Sequence, residues 1–481
     1  MNNTKLSRRT FLKQSALTGL SLSAASKSAF CSAGSEKRPN IIMIVTDDQR
    51  WDTLGCMGNP IIHTPNLDRL ASEGVLFRSH FSTTSICMSS RASIFTGLYT
   101  HCHKIDLFSK PLEPETFANS YPAMLRKAGY RTAFVGKWGL GGPLPKEDFD
   151  YFQGFSGQGQ YFIERDGQEV HLTGILGQQA CDFLKTCTGR QPFCLSLSTK
   201  APHVQDGHPD PFRYDPQYSD LYKDDEIPKP ETADPQYYDA MPDFIRDSEG
   251  RTRWTQRFAT PAMYQHSVKN YYRLITGVDA IVGKIREQLD SLNLADNTVI
   301  IYTSDQGFFL GEHGMAGKWL MHEESIRAPL IIYDPRLPHK NRGKRDAMTL
   351  NLDFAPTIMD LAGIDIPKNI QGQSLTPLLT GEKKSLRNEW FYEHPYGHGG
   401  KIAKSEGLRD ARWKYIRYYE QDPLYEELYD LRNDPHEKNN LANEPKYQKI
   451  RDEYRHRWVQ WRMALNEWKP DSQYAWVDPV N

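Results

Sequence analysis

Two short apolar runs that end in acids constrain this chain more than any other feature. They are "NIIMIVTDDQ" at 40–49 and "NTVIIYTSDQG" at 297–307. Continuous apolar runs of this length suit strands buried on both faces. "TAFVGKWG" at 132–139 and "PFCLSLSTKAPH" at 192–203 are two more. Helical patterns lie between them. "TPNLDRLASEG" at 64–74 offers a Thr cap, an early Pro and a closing Gly. "YPAMLRKAGY" at 121–130 is similar, and 268–292 carries a long helical period. Strands alternating with helices predict an α/β fold with a large, mostly parallel sheet flanked by helices.

Residues 205–262 are rich in Pro, Asp and Tyr with little periodicity. They read as a long excursion over the sheet that shapes a substrate cleft. Beyond about residue 385 the pattern changes. "NEWFYEH", "GLRDARWKYIRYY" and "YEELYDL" predict aromatic-rich antiparallel strands, and "PKYQKIRDEYRHRWVQWRMALNEW" predicts a terminal helix. The expected division is a catalytic domain over 38–384 and a smaller C-terminal α+β domain over 385–481.

The first 33 residues read as a signal. Ser7-Arg8-Arg9-Thr10-Phe11-Leu12-Lys13 followed by a Ser/Ala-rich apolar stretch fits twin-arginine export, which implies a periplasmic or secreted destination. No later run approaches the ~20 apolar residues of a membrane span. The formal net charge is −1, and no basic tract suggests a nucleic-acid partner. Seven cysteines in 481 residues are too few for a disulfide scaffold, although Cys181 and Cys187 are close enough in sequence to pair.

Chemistry concentrates at the strand ends. "VTDDQ" and "YTSDQ" each place acids just after a buried strand, where ligands bind in open α/β sheets. Taken singly, each acid reads as a cap for the next segment. Two matching strand ends instead bring Asp47, Asp48, Asp305 and Gln306 together. Three carboxylates and an amide oxygen suit a hard divalent cation such as Ca²⁺ or Mg²⁺. Lys137, His203 and Lys318 also follow strands, and Arg91 lies in "TTSICMSSRASIFTG" beside Cys87. A metal with a cationic pocket fits a tetrahedral oxyanion ester. The residues themselves leave sulfate and phosphate esters both open.

"CMSSRASIFTG" resembles the signature of the formylglycine-dependent sulfatases, in the alkaline-phosphatase-like superfamily. "TDDQ", "TPNLDRLASEG", "GKWGLG", "KAPH", "SDQG", "GEHG", "EESIRAPLIIYDP" and "LYDLRNDPHEKNNLA" resemble further blocks of that family, in its order. The resemblance implies that a formylglycine-generating or radical maturation enzyme oxidises Cys87 to Cα-formylglycine. Its hydrate would attack sulfur, and its second hydroxyl would then expel sulfate. Carried over, Asp47, Asp48, Asp305, Gln306 and modified Cys87 would hold Ca²⁺. Arg91 would hold the hydrate, Lys137 and Lys318 the sulfate oxygens, and His203 would protonate the leaving alcohol. His322 and His394, and also His398, are expected to face a sulfated carbohydrate substrate.

Two positions depart from the family pattern. Ser89 stands where many members have proline. Gly139 stands where many have the histidine that contacts the aldehyde hydrate, which makes His101 and His103 candidates for a replacement base. Competing readings are a phosphodiesterase or phosphonate monoester hydrolase of the same superfamily, and a non-catalytic binder of sulfated glycans.

Overall fold

The computed structural model describes residues 37–479. The twin-arginine segment lies outside the described residues. Eight strands form one sheet: β1 (Asn40–Asp47), β2 (Val75–Phe77), β3 (Arg131–Lys137), β4 (Tyr151–Phe155), β5 (Phe193–Pro202), β6 (Thr298–Ser304), β7 (Leu330–Tyr333) and β8 (Gly343–Arg345). Their order is β8-β2-β7-β6-β1-β5-β3-β4. All but β7 run in one direction. The principal helices are α1 (Pro65–Glu73), α2 (Cys87–Thr96), α3 (Leu172–Lys185), α4 (Pro261–Ser291), α5 (Phe354–Leu361) and α6 (Gln448–Glu467).

The period of two along β1 divides its side chains between two cores. Ile42 and Ile44 pack with Leu67 of α1, Leu176 of α3 and Ile275 of α4. Ile41, Met43 and Val45 pack on the other face with Met88 of α2 and Ile358 of α5. Burying one such side chain contributes about 1.5–3 kcal/mol. This two-sided burial is why the run reads as continuously apolar. The ladders to β5 and β6 place the carboxyl ends of three strands side by side.

Two helix starts differ from the sequence reading. Thr64 precedes α1, but its hydroxyl makes no cap. It donates to Asp68 at 3.2 Å and accepts from the Gly55 N–H at 3.0 Å. Helix α4 begins at Pro261, not at 268, because Thr260 Oγ1 accepts from the Met263 N–H at 3.2 Å and Pro261 suits the first turn. The 205–262 excursion holds short helices, including Glu249–Arg257.

The second sheet is an antiparallel meander of β9 (Glu389–His394), β10 (Ser405–Asp410), β11 (Trp413–Tyr418) and β12 (Tyr425–Asp430). Helix α6 packs on it. Trp461 stacks on Phe391 with ring centroids 6.0 Å apart and donates Nε1–H to Glu389 at 2.9 Å. Most of its aromatics are core, among them Trp390, Tyr392, Tyr415 and Tyr418. Buried ion pairs join this sheet to the first. Glu323 receives Arg409 at 3.1 Å and Lys414 at 2.8 Å, and Lys414 also meets Glu437 at 2.7 Å. Cys181 and Cys187 are both free thiols. Among the described residues, no helix is long and apolar enough to cross a membrane.

Arg387, just before β9, donates to both oxygens of Asp353 at 2.6 Å, and both side chains are buried. Asp353 also accepts from the Leu350 and Gln373 N–H groups. Removing the guanidinium strands a buried carboxylate. Arg387→Ala should therefore destabilise the protein by about 3–5 kcal/mol, read from denaturant unfolding. Arg387→Ala with Asp353→Ala should cost less than the two single changes added together.

Candidate active site

Successive residues of a strand point to opposite faces, so Asp47 and Asp48 would ordinarily diverge. Asp48 instead has φ 66°, in the left-handed region that Asp tolerates. This turn at the end of β1 brings both carboxylates to one side. Tyr271 of α4 pins it by donating to the Asp48 carbonyl at 2.6 Å. Asp305, just past β6, accepts the Asp48 N–H at 3.1 Å. Gln306 donates its amide to Asp48 Oδ1 at 2.6 Å.

Cys87 is the first residue of α2 and is 1 % exposed. Its Sγ lies 3.2 Å from Asp47 Oδ1, 3.0 Å from Lys318 Nζ and 3.4 Å from Gln306 Nε2. Burial, with Asp47 beside it, pushes the thiol up to about 12. It is therefore protonated near neutral pH, and an unmodified thiol here is a poor nucleophile. One turn on, Arg91 reaches Asp305 at 2.9 Å and also donates to Ser198.

Lys137, the last residue of β3, pairs with Asp47 and donates to Gln158 at 2.6 Å. Lys318 pairs with Asp48. His203 follows β5. Its Nδ1–H donates to the Val204 carbonyl at 2.7 Å, which leaves Nε2 3.5 Å from Asp48 Oδ2. Burial holds this imidazole well below its usual value. Burial also raises the Asp47 carboxyl, but Lys137, His203, Arg91 and Lys318 outweigh it and hold that group well below the usual range. Burial raises Asp305 to about 7, reinforced by Asp47.

Ligand atoms of Asp47, Asp48, Cys87 and His203 lie within 4.8 Å of one another. Asp305 stands at the edge of this group, engaged by Arg91 and the Asp48 amide. Gln306 Oε1 is buried without a hydrogen-bond partner. Clustered carboxylates and an orphaned amide oxygen fit a hard cation such as Ca²⁺.

The structure thus gathers Asp47, Asp48, Cys87, Arg91, Lys137, His203, Asp305, Gln306 and Lys318. His322 and His394 do not join them. Both imidazoles are fully buried, and neither ring nitrogen of either has a hydrogen-bond partner. His322 is enclosed by Phe309, His313 and Tyr429. Interior packing, with each imidazole driven well down by burial, corrects the expectation that they face a substrate. His398 stays at the surface beside Tyr396.

Gly139 has φ +76°, and a Cβ there would lie 2.4 Å from Arg91 Cδ. With Arg91 so placed, no side chain fits. His103 does not supply a base in its stead. Its ring nitrogens meet Ser93 Oγ and the Ile105 N–H. His101 lines a separate cavity with Glu393 and Trp458. Ser89 donates to the Ile105 carbonyl at 2.6 Å and so ties α2 to the following loop.

Ser198 and Gln158 escaped the sequence reading, and neither carries a signal there. Lys200 did carry one, as a cation at the end of β5. It is buried, donates to the Val204 carbonyl at 3.0 Å and lies over the Tyr161 ring.

The sulfatase family model matches residues 39–364, and a model for the C-terminal region of N-sulphoglucosamine sulphohydrolase matches 311–464. An N-acetylglucosamine-6-O-sulfatase of Bacteroides thetaiotaomicron is 31% identical over 87% of this chain and 85% of its own length. A solved structure in complex with its substrate D-glucosamine-2-N,6-O-disulfate superposes with TM-score 0.76 at 29% identity, covering 91% of this chain and all of that one. The phosphonate monoester hydrolase of Agrobacterium radiobacter shares the fold, with TM-score 0.71 at 23% identity over 89% of this chain and 96% of its own. The chain belongs to the sulfatase family.

Proposed function

We propose that this protein hydrolyses sulfate esters of carbohydrates, using Cα-formylglycine formed from Cys87 and one bound calcium ion. The observation that carries the reading is the setting of Cys87. Its buried Sγ meets a carboxylate, a lysine and an amide at the ends of two strands, yet the thiol itself is held protonated. A carbohydrate substrate is supported by the N-acetylglucosamine-6-O-sulfatase and by the structure bound to a sulfated glucosamine. The twin-arginine segment supports export of a folded, already modified protein to the periplasm or beyond.

Asp47, Asp48, Asp305 and Gln306 would hold the calcium, with the oxygen that replaces Sγ at position 87. The ion would supply Lewis-acid polarisation of a sulfate oxygen, and the modified side chain would supply the attacking oxygen. The chain's own residues do the rest. Lys137 and Lys318 bind sulfate oxygens and neutralise charge that grows in the transition state. Arg91, braced by Asp305 and Ser198, orients the side chain at position 87. His203 keeps its Nδ1 proton on Val204, and once it is protonated at Nε2 as well, a state that Asp47 favours, it gives the Nε2 proton to the leaving alcohol. The phosphonate monoester hydrolase reading rests on fold likeness alone, and paired assays on sulfate and phosphonate esters separate the two.

Three outcomes are expected. Peptide mass spectrometry of active protein, made with a maturation enzyme, should find formylglycine at position 87, and Cys87→Ala should be inactive. Active material carrying only the thiol would falsify the mechanism. Elemental analysis should find one calcium per chain, lost with activity in a folded Asp48→Ala protein. Full activity after exhaustive chelation, with no calcium retained, would defeat that assignment. His203→Ala should slow alkyl and sugar sulfates by about 10²-fold or more and aryl sulfates less, because a phenolate leaves without a proton. Equal losses on both would make His203 a binding group only.

A further inference from the structure

The excursion at 205–262 carries two arginines that the proposed chemistry does not use. Arg257 ends the short helix Glu249–Arg257 and is 3 % exposed. Its Nη1 is buried without a hydrogen-bond partner. Its ion pair is a long one, with Nη2 3.5 Å from Asp206 Oδ1. Arg253, one turn earlier and partly exposed, reaches the same oxygen at 3.4 Å. Two guanidinium groups thus share one distant carboxylate, and Asp206 is itself half open to solvent. Arg253 also pairs with Glu249 at 2.8 Å.

The charge at Arg257 is under-compensated. Burial, with Arg253 beside it, draws its guanidinium down to about 10 despite Asp206. Arg91 and Arg387 are equally buried and move the other way, because each faces acids at close range. A buried arginine with an unused donor and only a distant carboxylate is built to receive an anion.

The pair also stands beside the candidate centre. Asp206 follows His203 by three residues. Arg253 lies over the Trp319 ring, 5.1 Å from its centroid, and Trp319 follows Lys318. Trp319 has φ 86°, rare for an aromatic residue, so the backbone here is held in a strained turn. Arg257 also feels the Asp48 carboxylate.

We propose that Arg253 and Arg257 form a second anion subsite, which binds a second oxyanion of the substrate while the first sulfate occupies the centre. This rests on the sulfate-ester reading above, and it narrows the substrate to sugars carrying at least two acidic groups. The second group is a sulfate on the same sugar or a carboxylate on its neighbour. Either would displace Asp206 from the two guanidinium groups.

Binding tests the proposal without turnover, and so separately from the hydrolytic reading. The full-length Cys87→Ala protein, in calcium, is titrated calorimetrically with three probes. These are N-acetylglucosamine 6-O-sulfate, glucosamine 2-N,6-O-disulfate, and a disaccharide of a uronic acid and N-acetylglucosamine 6-O-sulfate. One of the two dianions should bind at least about tenfold tighter than the monoanion. Which one does so identifies the source of the second group. Arg253→Ala should bring that ratio close to one, and Asp206→Asn should enlarge it. Arg253 is partly exposed, so its variant reports even if Arg257→Gln fails to fold. A purely structural role would weaken all probes alike and leave the ratio intact, which would overturn the proposal. So would equal affinity of the parent for all three. Turnover of simple sulfate esters by the formylglycine form is scored on its own. Its absence would sink the hydrolytic reading without touching the ratio.

Discussion

Three carboxylates and three cations share one buried site, and the rest of the structure serves to hold them there. Asp47, Asp48 and Asp305 are wholly enclosed, as are Arg91, Lys137 and Lys318. Placing like charges together out of water is costly, and the cost is offset only where opposite charges meet them in good geometry. Each cation here arrives on a different element: Arg91 on α2, Lys137 at the end of β3, and Lys318 in the loop after β6. Those elements must therefore all be in register at once. The extensive two-sided core on β1 supplies the rigidity for this. It also explains why the site sits at the ends of strands that are buried along their whole length.

The framework was legible because it follows from period and burial. Continuous apolar runs gave the central strands, and strand ends located Asp47, Asp48, Asp305, Lys137 and His203. The antiparallel second sheet was visible in its aromatic alternation. What sequence could not show depends on contacts between distant segments. The start of α4 is set by the Thr260 cap, which lies outside the apolar period. Ser198 and Gln158 are ordinary polar residues until Arg91 and Lys137 reach them. His322 and His394 read as substrate-facing groups, because the elements that enclose His322 are distant in sequence. Here the contact between the two sheets encloses His322 among aromatic rings. Burial then keeps it neutral, as a packing residue.

The second sheet does more than cover a face. Glu312 takes Arg50, two residues beyond Asp48, at 2.5 Å, and also accepts the Leu310 N–H at 2.7 Å. Glu323 takes Arg409 and Lys414 from the second sheet, while its own N–H donates to Glu437 at 2.8 Å. The loop bearing Lys318 lies in sequence between Glu312 and Glu323, so it is clamped at both ends by buried ion pairs. Tyr392 of β9 adds a third hold by donating to the Trp319 carbonyl at 2.7 Å. A lysine on an unclamped loop would lose its position to solvent and side-chain entropy.

The departure at Gly139 is intelligible in the same terms. A side chain there would strike Arg91, and its backbone already adopts a conformation that favours glycine. Arg91 fills the space such a side chain would need and spends its donors on Asp305, Ser198 and the Lys137 carbonyl. The guanidinium is thus fixed from three sides, by the residue after β6, by β5 and by the end of β3. Ser198 is the partner that completes this, since an apolar residue on β5 would leave Nη1 only the long bond to the Lys137 carbonyl, with its second hydrogen unsatisfied in a buried site. Glycine at 139 and serine at 198 therefore belong to one arrangement. In it a preorganised arginine fills the space that a side chain at 139 would need, and Nε2 of His203, with Nδ1 held by Val204, is left facing Asp48.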